Sequence, residues 1–394
     1  MSPVRGLRPA LAASLASLAL VLTLPAPVAG ASDGSTRPEP VGGVLLGTRG
    51  TLAGSGPGVP GYPGGVTARS FVVADLDSGE VLAARDPHGR YAPASTLKVL
   101  TAVALIPELA TTALHKASFD EVNIEGSKVG LVPGYRYPVG TLLESLLMVS
   151  GNDAAMALAG AYGGVPRTVA QMNLTARRLR AHDTVARNPH GLDAAGQVSS
   201  AYDLALVARA GLAMPEFAAY VGKLRSSVGA PGGKRFEIYN HNKLLTRYSG
   251  TLGVKNGYTV KSRHSYVGAA RRNGRTILVS IMRSQSPYPD ATKLLDWGFR
   301  ATGRATAIGR LVEPVCEGVT EQADRSRDVP VASGDQVSAA GQQRSGSGRT
   351  LGSVPVLKVG AVALLGGVIG WRRRVLRRRR FGGPGELRLH LPVR

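Results

Sequence analysis

Cysteine is all but absent: Cys316 is the single one in 394 residues. No internal disulfide can form, so this chain is not a disulfide-stapled scaffold, and we read the lone thiol as incidental. The seven histidines and this cysteine form no cluster at metal-ligand spacing, so no metal is expected. No segment repeats at a fixed period, which excludes solenoid and propeller architectures. Acid is scarce, with 26 Asp and Glu against 48 Lys and Arg, a formal charge of +22.

That excess is unevenly placed. Residues 372–394 hold nine Arg and one Glu, and the first 31 residues add Arg5 and Arg8, which leaves +12 for residues 32–371. A basic body suits nucleic acid or an anionic surface. The two chain ends argue for the second. Arg5 and Arg8, the apolar run Leu11 to Leu24 and the small-x-small triplet Ala29-Gly30-Ala31 read as a signal peptide over 1–31, cut before Ser32. The alternative is an uncleaved anchor, for which the run is short. At the other end Val359 to Trp371, extended to Val354 if Lys358 snorkels, approaches the length of a membrane helix. Arg372 to Arg374 and Arg377 to Arg380 follow at once, the pattern of a cytoplasmic flank. The alternative there is a Gly-rich buried helix with a basic tail. An exported catalytic domain anchored by a C-terminal helix at 354–371, with a basic cytoplasmic tail at 372–394 and no nucleic-acid partner, is the expectation. Anionic cell-envelope polymers are the partners that the basic body suits.

Between the ends, residues 32–65 are Gly/Pro/Ser/Thr-rich and read as a flexible lead-in, and 316–353 as a polar linker. The folded body is expected over 66–315. Ser70 to Leu76 and Glu80 to Ala84 flank Asp77-Ser78-Gly79 as a hairpin. Helical periodicity runs through Ser95 to Ile106, Leu142 to Ala161 and Tyr202 to Ala213. His264 to Ala270 and Thr276 to Met282 flank an Asn273-Gly274 turn, and Tyr288 to Thr302 reads as a closing helix. Strands come first and last with helices between. That order implies a mixed α/β (α+β) fold, an antiparallel sheet built from both ends of the body and flanked by helices, with a helical subdomain inserted.

The chemistry starts at Ala94-Ser95-Thr96-Leu97-Lys98. On a helix, residues three apart share a face, so the Ser95 hydroxyl and the Lys98 amine can meet. A serine needs a base to become a nucleophile, and a lysine becomes one when burial or a neighbouring charge lowers its pKa. Taken alone, the motif is weak and Ser95 reads more readily as a helix N-cap. Two further triplets change the weighting: Ser150-Gly151-Asn152 inside an apolar helical stretch, and Lys255-Asn256-Gly257 before the late strand pair. S-x-x-K, S-D-N and K-T-G, in that order, mark penicillin-binding proteins and class A β-lactamases. Here the order holds, with Gly for Asp and Asn for Thr.

The chain resembles the low-molecular-mass serine D-Ala-D-Ala carboxypeptidases, in which Ser-Gly-Asn is the usual second motif. Asn188 to Asp193 (NPHGLD), Ser199 to Ala205 (SSAYDLA), Asn240 to Leu245 (NHNKLL, similar to a family strand) and Leu294 to Arg300 (LLDWGFR) extend the likeness over about 68–302. The resemblance implies a β-lactamase/DD-peptidase-like fold and removal of the terminal D-Ala from peptidoglycan stem peptides ending in D-Ala-D-Ala. It implies no cofactor, and β-lactams as covalent inhibitors. By the same resemblance Ser95 is acylated, Lys98 is the general base and Ser150 relays a proton to the leaving amine. Asn152 bonds the substrate peptide and orders Lys98, and Lys255 attracts the terminal carboxylate. The N–H groups of Ser95 and Tyr258 form the oxyanion hole, and Gly257 leaves room for substrate along the strand. Asn256 departs from the family's threonine; its amide can also donate, Thr259 is read as sharing the carboxylate, and Arg263 is either a further partner or a solvated strand-end charge. His190 and Asp193 read as structural. A class A-like β-lactamase needs a Glu-x-x-x-Asn segment that the sequence lacks, with Glu216 in an unsuitable context. A membrane-anchored penicillin-binding sensor would need a larger output segment than the tail offers.

Overall fold

The computed structural model describes residues 39–315. The expected signal peptide, linker, membrane helix and basic tail, and Cys316, lie outside the described residues. In chain order the body contains β1 (Thr51–Ala53), β2 (Ser70–Asp75), β3 (Glu80–Arg85), a 3-10 turn over Ala94–Leu97 and α1 (Lys98–Leu105). Then come β4 (Leu114–Lys116), α2 (Phe119–Val122), β5 (Arg136–Pro138), α3 (Val139–Met148), α4 (Asn152–Ala161) and α5 (Val165–Arg178). They are followed by α6 (Ala201–Leu212), α7 (Pro215–Gly222), β6 (Arg225–Ala230), β7 (Lys234–Tyr239) and α8 (Leu244–Arg247). The chain closes with β8 (Thr251–Thr259), β9 (Arg263–Arg272), β10 (Arg275–Ser284), α9 (Pro287–Ala301) and β11 (Gly309–Arg310).

The main sheet is antiparallel throughout, in the order β1-β3-β2-β10-β9-β8, with β11 also on β3. β10 pairs with β2, Val279 opposite Val73, so the last strands complete a sheet begun by the first. Two turns fix the hairpins. Asp75 Oδ1 accepts from the N–H of Asp77 at 2.9 Å and closes β2 onto β3. Asn273 and Gly274 both take positive φ, 49° and 76°, the geometry that matches strand twist in a two-residue turn between β9 and β10.

Alternation along the strands separates two cores. Phe71, Val73, Ile277 and Val279 join Leu294 and Trp297 of α9 on one face. Val72, Ala74 and Leu278 join the helical cluster on the other. Within that cluster every residue of α1 is buried, as expected of a helix apolar on all sides. It holds a lysine at its first position, so the Lys98 amine is carried into the interior.

Four expectations need correcting. Residues 39–65 are not a loose lead-in: β1 pairs with β3, Tyr62 stacks on Phe71, and Trp297 Nε1 donates to the Pro60 carbonyl at 3.0 Å. The single helix read through Leu142 to Ala161 is two, broken at Ser150, whose φ is 64°. Ser95 sits in a 3-10 turn that leads into α1 rather than in the α-helix itself. The segment Asn240 to Leu245 is a turn running into α8, not a strand, because Asn240 Oδ1 accepts from Asn242 N–H and Asn242 Oδ1 from Leu244 N–H.

Candidate active site

Three segments meet where the 3-10 turn enters α1. Lys98 is fully buried, and its Nζ lies 3.0 Å from Ser95 Oγ, 2.7 Å from Asn152 Oδ1 and 2.5 Å from the His190 carbonyl oxygen. Burial drives its pKa well below the ordinary lysine value of 10.5; the nearby charge of Lys255 pushes the same way and Asp153 opposes it. A neutral amine has two N–H groups and one lone pair. In that form Asn152 and His190 would accept the two hydrogens and the lone pair would face the Ser95 hydroxyl. Ser95 itself is half-buried, in contrast to the fully buried Lys98.

Asn152 is in turn held from behind. Its Nδ2 donates to the Glu125 carbonyl at 2.7 Å, and its own N–H to the Ser127 carbonyl at 2.7 Å. The adjoining loop is secured by Asp153, whose buried carboxylate accepts from the N–H groups of Val129, Gly130 and Leu131 at 2.9, 2.8 and 3.1 Å. Sequence reasoning missed this loop and both carbonyl acceptors, because a backbone oxygen carries no residue signature. Ser150, 5% exposed, precedes Asn152 by two residues at the break between α3 and α4.

β8 forms the edge of the sheet and passes the start of the 3-10 turn. At Gly257 a Cβ would lie 2.7 Å from Ser95 N and 3.0 Å from Thr96 N. The room expected there for substrate is therefore taken by the chain itself, and the glycine lets the edge strand reach the nucleophile's backbone. Ser265 Oγ and Thr96 Oγ1 both donate to the Pro93 carbonyl, at 2.7 and 2.6 Å, which locks β9 to the same turn. Lys255 is fully buried, donates to the Asn256 carbonyl at 2.8 Å, and burial pushes its pKa down to about 7. Asn256 sits opposite Tyr266 with a half-buried side chain, one residue from Lys255.

The side chains of the other residues weighed in the sequence have partners of their own or lie exposed. The Tyr258 side chain is 53% exposed and packs on His264. The Thr259 hydroxyl donates to Asp193 Oδ1 at 3.1 Å and accepts from Ser262 N–H, so it holds a turn and ties the His190 loop to β8. Arg263 lies exposed at the start of β9. His190 contributes its carbonyl; burial and then Lys98 lower its ring pKa to about 4, and Nδ1 accepts from Leu192 N–H. It is neutral near pH 7 and faces its own loop. Glu216 is exposed in the first turn of α7.

A nucleophile and a desolvated amine one turn apart, with no histidine in the exchange, define an acyl-transferring serine enzyme. Residues 59–286 match the family model described as D-alanyl-D-alanine carboxypeptidase. The chain belongs to that family of hydrolases. It is 40% identical over 267 residues to D-alanyl-D-alanine carboxypeptidase DacB2 of Mycobacterium tuberculosis, covering 66% of this chain and 89% of the relative. It is 30% identical over 241 residues to D-alanyl-D-alanine carboxypeptidase DacF of Bacillus subtilis, covering 59% and 62%. Among solved structures it resembles a D-alanyl-D-alanine carboxypeptidase of Mycobacterium tuberculosis, with a TM-score of 0.62 at 39% identity over 65% of this chain and 99% of that one. A Streptomyces DD-transpeptidase aligns with a TM-score of 0.58 at 26% identity, over 61% and 99%.

Proposed function

We propose that the protein removes the terminal D-Ala from peptidoglycan stem peptides ending in D-Ala-D-Ala, through an acyl-enzyme on Ser95. The observation that carries this is the 3.0 Å contact between Ser95 Oγ and a fully buried Lys98 amine that Asn152 and the His190 carbonyl hold in place. Ser95 Oγ forms a bond to the carbonyl carbon of the penultimate D-Ala and its proton passes to Lys98 Nζ. The tetrahedral oxyanion faces the N–H of Ser95 and that of Tyr258 on the edge strand. Collapse breaks the carbon–nitrogen bond, and the Lys98 proton reaches the leaving amine by way of the Ser150 hydroxyl. Water then attacks the ester, Lys98 takes its proton, and the proton returns to Ser95 Oγ. Asn152 keeps Lys98 aimed, and Lys255 with Asn256 receives the terminal carboxylate. β-Lactams acylate the same oxygen.

Export and anchoring form part of the same proposal. They are supported by the apolar run at Leu11 to Leu24 and by the apolar segment at 354–371 with its arginine flank. Among the described residues no single helix is long and apolar enough to cross a membrane. Retention in the membrane pellet after alkaline carbonate washing supports the anchor, and release into the supernatant removes it.

The activity test incubates the full chain with a peptide ending in D-Ala-D-Ala and follows free D-Ala by mass spectrometry. Release that is lost in Ser95→Ala and blocked by penicillin supports the proposal. Penicillin labelling without D-Ala release, or with transfer to an added amine only, moves the function to transpeptidation. Rapid multiple turnover of a chromogenic β-lactam moves it to a β-lactamase.

A further inference from the structure

One wide cleft lies apart from the catalytic residues. It has a volume of about 870 Å³ and contains none of Ser95, Lys98, Ser150, Asn152 or Lys255. It crosses the end of the sheet where β2 and β9 begin and β3 and β10 finish, and it meets the catalytic region at Tyr258. Twelve residues line it, five of them arginine: Arg49, Arg69, Arg85, Arg263 and Arg283. Asp86 is the one carboxylate among the twelve, and its Oδ2 accepts from the Tyr91 hydroxyl.

Asp86 is the acidic neighbour of Arg69, at a separation that forms no ion pair. Arg85 is spent on structure, with donations to Thr51 Oγ1 and to the Val66 and Ala68 carbonyls. Arg49, Arg69, Arg263 and Arg283 are exposed, and among the described residues none of them forms an ion pair. Arg283 lies 5.7 Å over the Tyr91 ring, so one of the guanidinium groups rests on an aromatic face beside the cleft. Unneutralised like charges gathered in one concavity repel one another and focus a positive potential. The guanidinium fork matches the oxygens of phosphate in bidentate fashion.

We propose that this cleft binds a phosphodiester-bearing polymer, with successive phosphates on Arg49, Arg69, Arg263 and Arg283. The volume far exceeds that of a single anion and gives room for an extended ligand. Ala68 and Tyr258 are the only apolar residues in the lining, so the cleft offers no pocket for peptide side chains. A chain of phosphates needs none, and it keeps its charge throughout the neutral range. Bound there, the polymer would lie beside the mouth of the catalytic region and hold the enzyme on an anionic mesh. This assignment does not depend on which acyl group Ser95 accepts.

The test is arginine footprinting of the full chain with phenylglyoxal, read residue by residue by mass spectrometry, so that the basic C-terminal segment does not obscure the result. Short-chain inorganic polyphosphate is the probe and hexaglutamate the comparison. Polyphosphate is expected to slow modification of Arg49, Arg69, Arg263 and Arg283 by about tenfold or more while the exposed Arg225 and Arg304 keep their reactivity. Protection should fade between about 50 and 200 mM salt. In the double variant Arg49→Gln/Arg283→Gln, protection of Arg69 and Arg263 should drop while penicillin labelling of Ser95 stays at the wild-type level. Equal protection by hexaglutamate would overturn the phosphate assignment in favour of an acidic peptide. Uniform protection of all exposed arginines, or protection unchanged in the double variant, would remove the site.

Discussion

Gly257→Ala perturbs the contact that joins the edge strand to the nucleophile. A Cβ there would lie 2.7 Å from Ser95 N and 2.7 Å from Ser265 Oγ, about 0.7 Å inside the ordinary contact limit of 3.4 Å. Neither neighbour yields easily. Ser95 N is backbone, and Ser265 Oγ is bound to the Pro93 carbonyl at 2.7 Å. The strand and the 3-10 turn must therefore separate by most of that deficit. Overpacking of this size costs about 1–3 kcal/mol of stability. A shift approaching 1 Å at a reacting atom lowers a rate by up to about 100-fold. The assay is stopped-flow acylation by fluorescent penicillin beside a thermal melt. We expect acylation slowed by about 10- to 100-fold, a larger effect than the loss of stability alone accounts for. Gly64, where an added methyl would meet nothing within 4 Å, is the control, and Gly64→Ala should leave both readouts within about twofold. Acylation by Gly257→Ala within about twofold of wild type would refute the reasoning that this glycine sets the nucleophile's position.

Three further outcomes follow from the same structure. Asp153→Ala strands the N–H groups of Val129, Gly130 and Leu131 and should lower stability by about 2–4 kcal/mol, read as a fall in melting temperature. Burial, with Asp183 next, raises the Asp203 pKa from 3.8 to about 7, so its contribution is complete below 3.8 and is lost as pH rises through 7; the melting temperature of Asp203→Asn relative to wild type should be higher at pH 8 than at pH 5. Burial lowers Lys255 to about 7, so it loses charge as pH rises past 7; peptide hydrolysis should decline there, and Lys255→Arg should carry that limb to higher pH in a pH–rate profile.

What could be read from the sequence is what depends on local pattern. Asn273-Gly274 marked its hairpin because few residues accept positive φ twice in succession. Ser95 and Lys98 were legible because helical spacing brings them together and two further triplets follow them in order. The break at Ser150 was not, because the apolar periodicity of Leu142 to Ala161 runs on through it and a positive φ leaves no compositional trace. Asn240 and Asn242 turned an expected strand into a turn by bonding backbone N–H groups two residues on, a competition that extended-strand patterning does not register. Residues 39–65 looked loose because Gly and Pro dominate them, yet they are held by partners such as Phe71, Ala83 and Trp297, distant in sequence. The role of Gly257 was misplaced for a similar reason. Its neighbour is Ser95, and only the folded chain shows that the space is already filled.

The central claim is that Lys98 is a neutral amine when it faces Ser95. The most direct test is the pH dependence of single-turnover acylation of Ser95 by penicillin. The claim requires the rate to rise with pH along a limb well below 10.5. A limb at the ordinary lysine value would mean that the amine keeps its proton in the folded enzyme and that some other group takes the proton of Ser95.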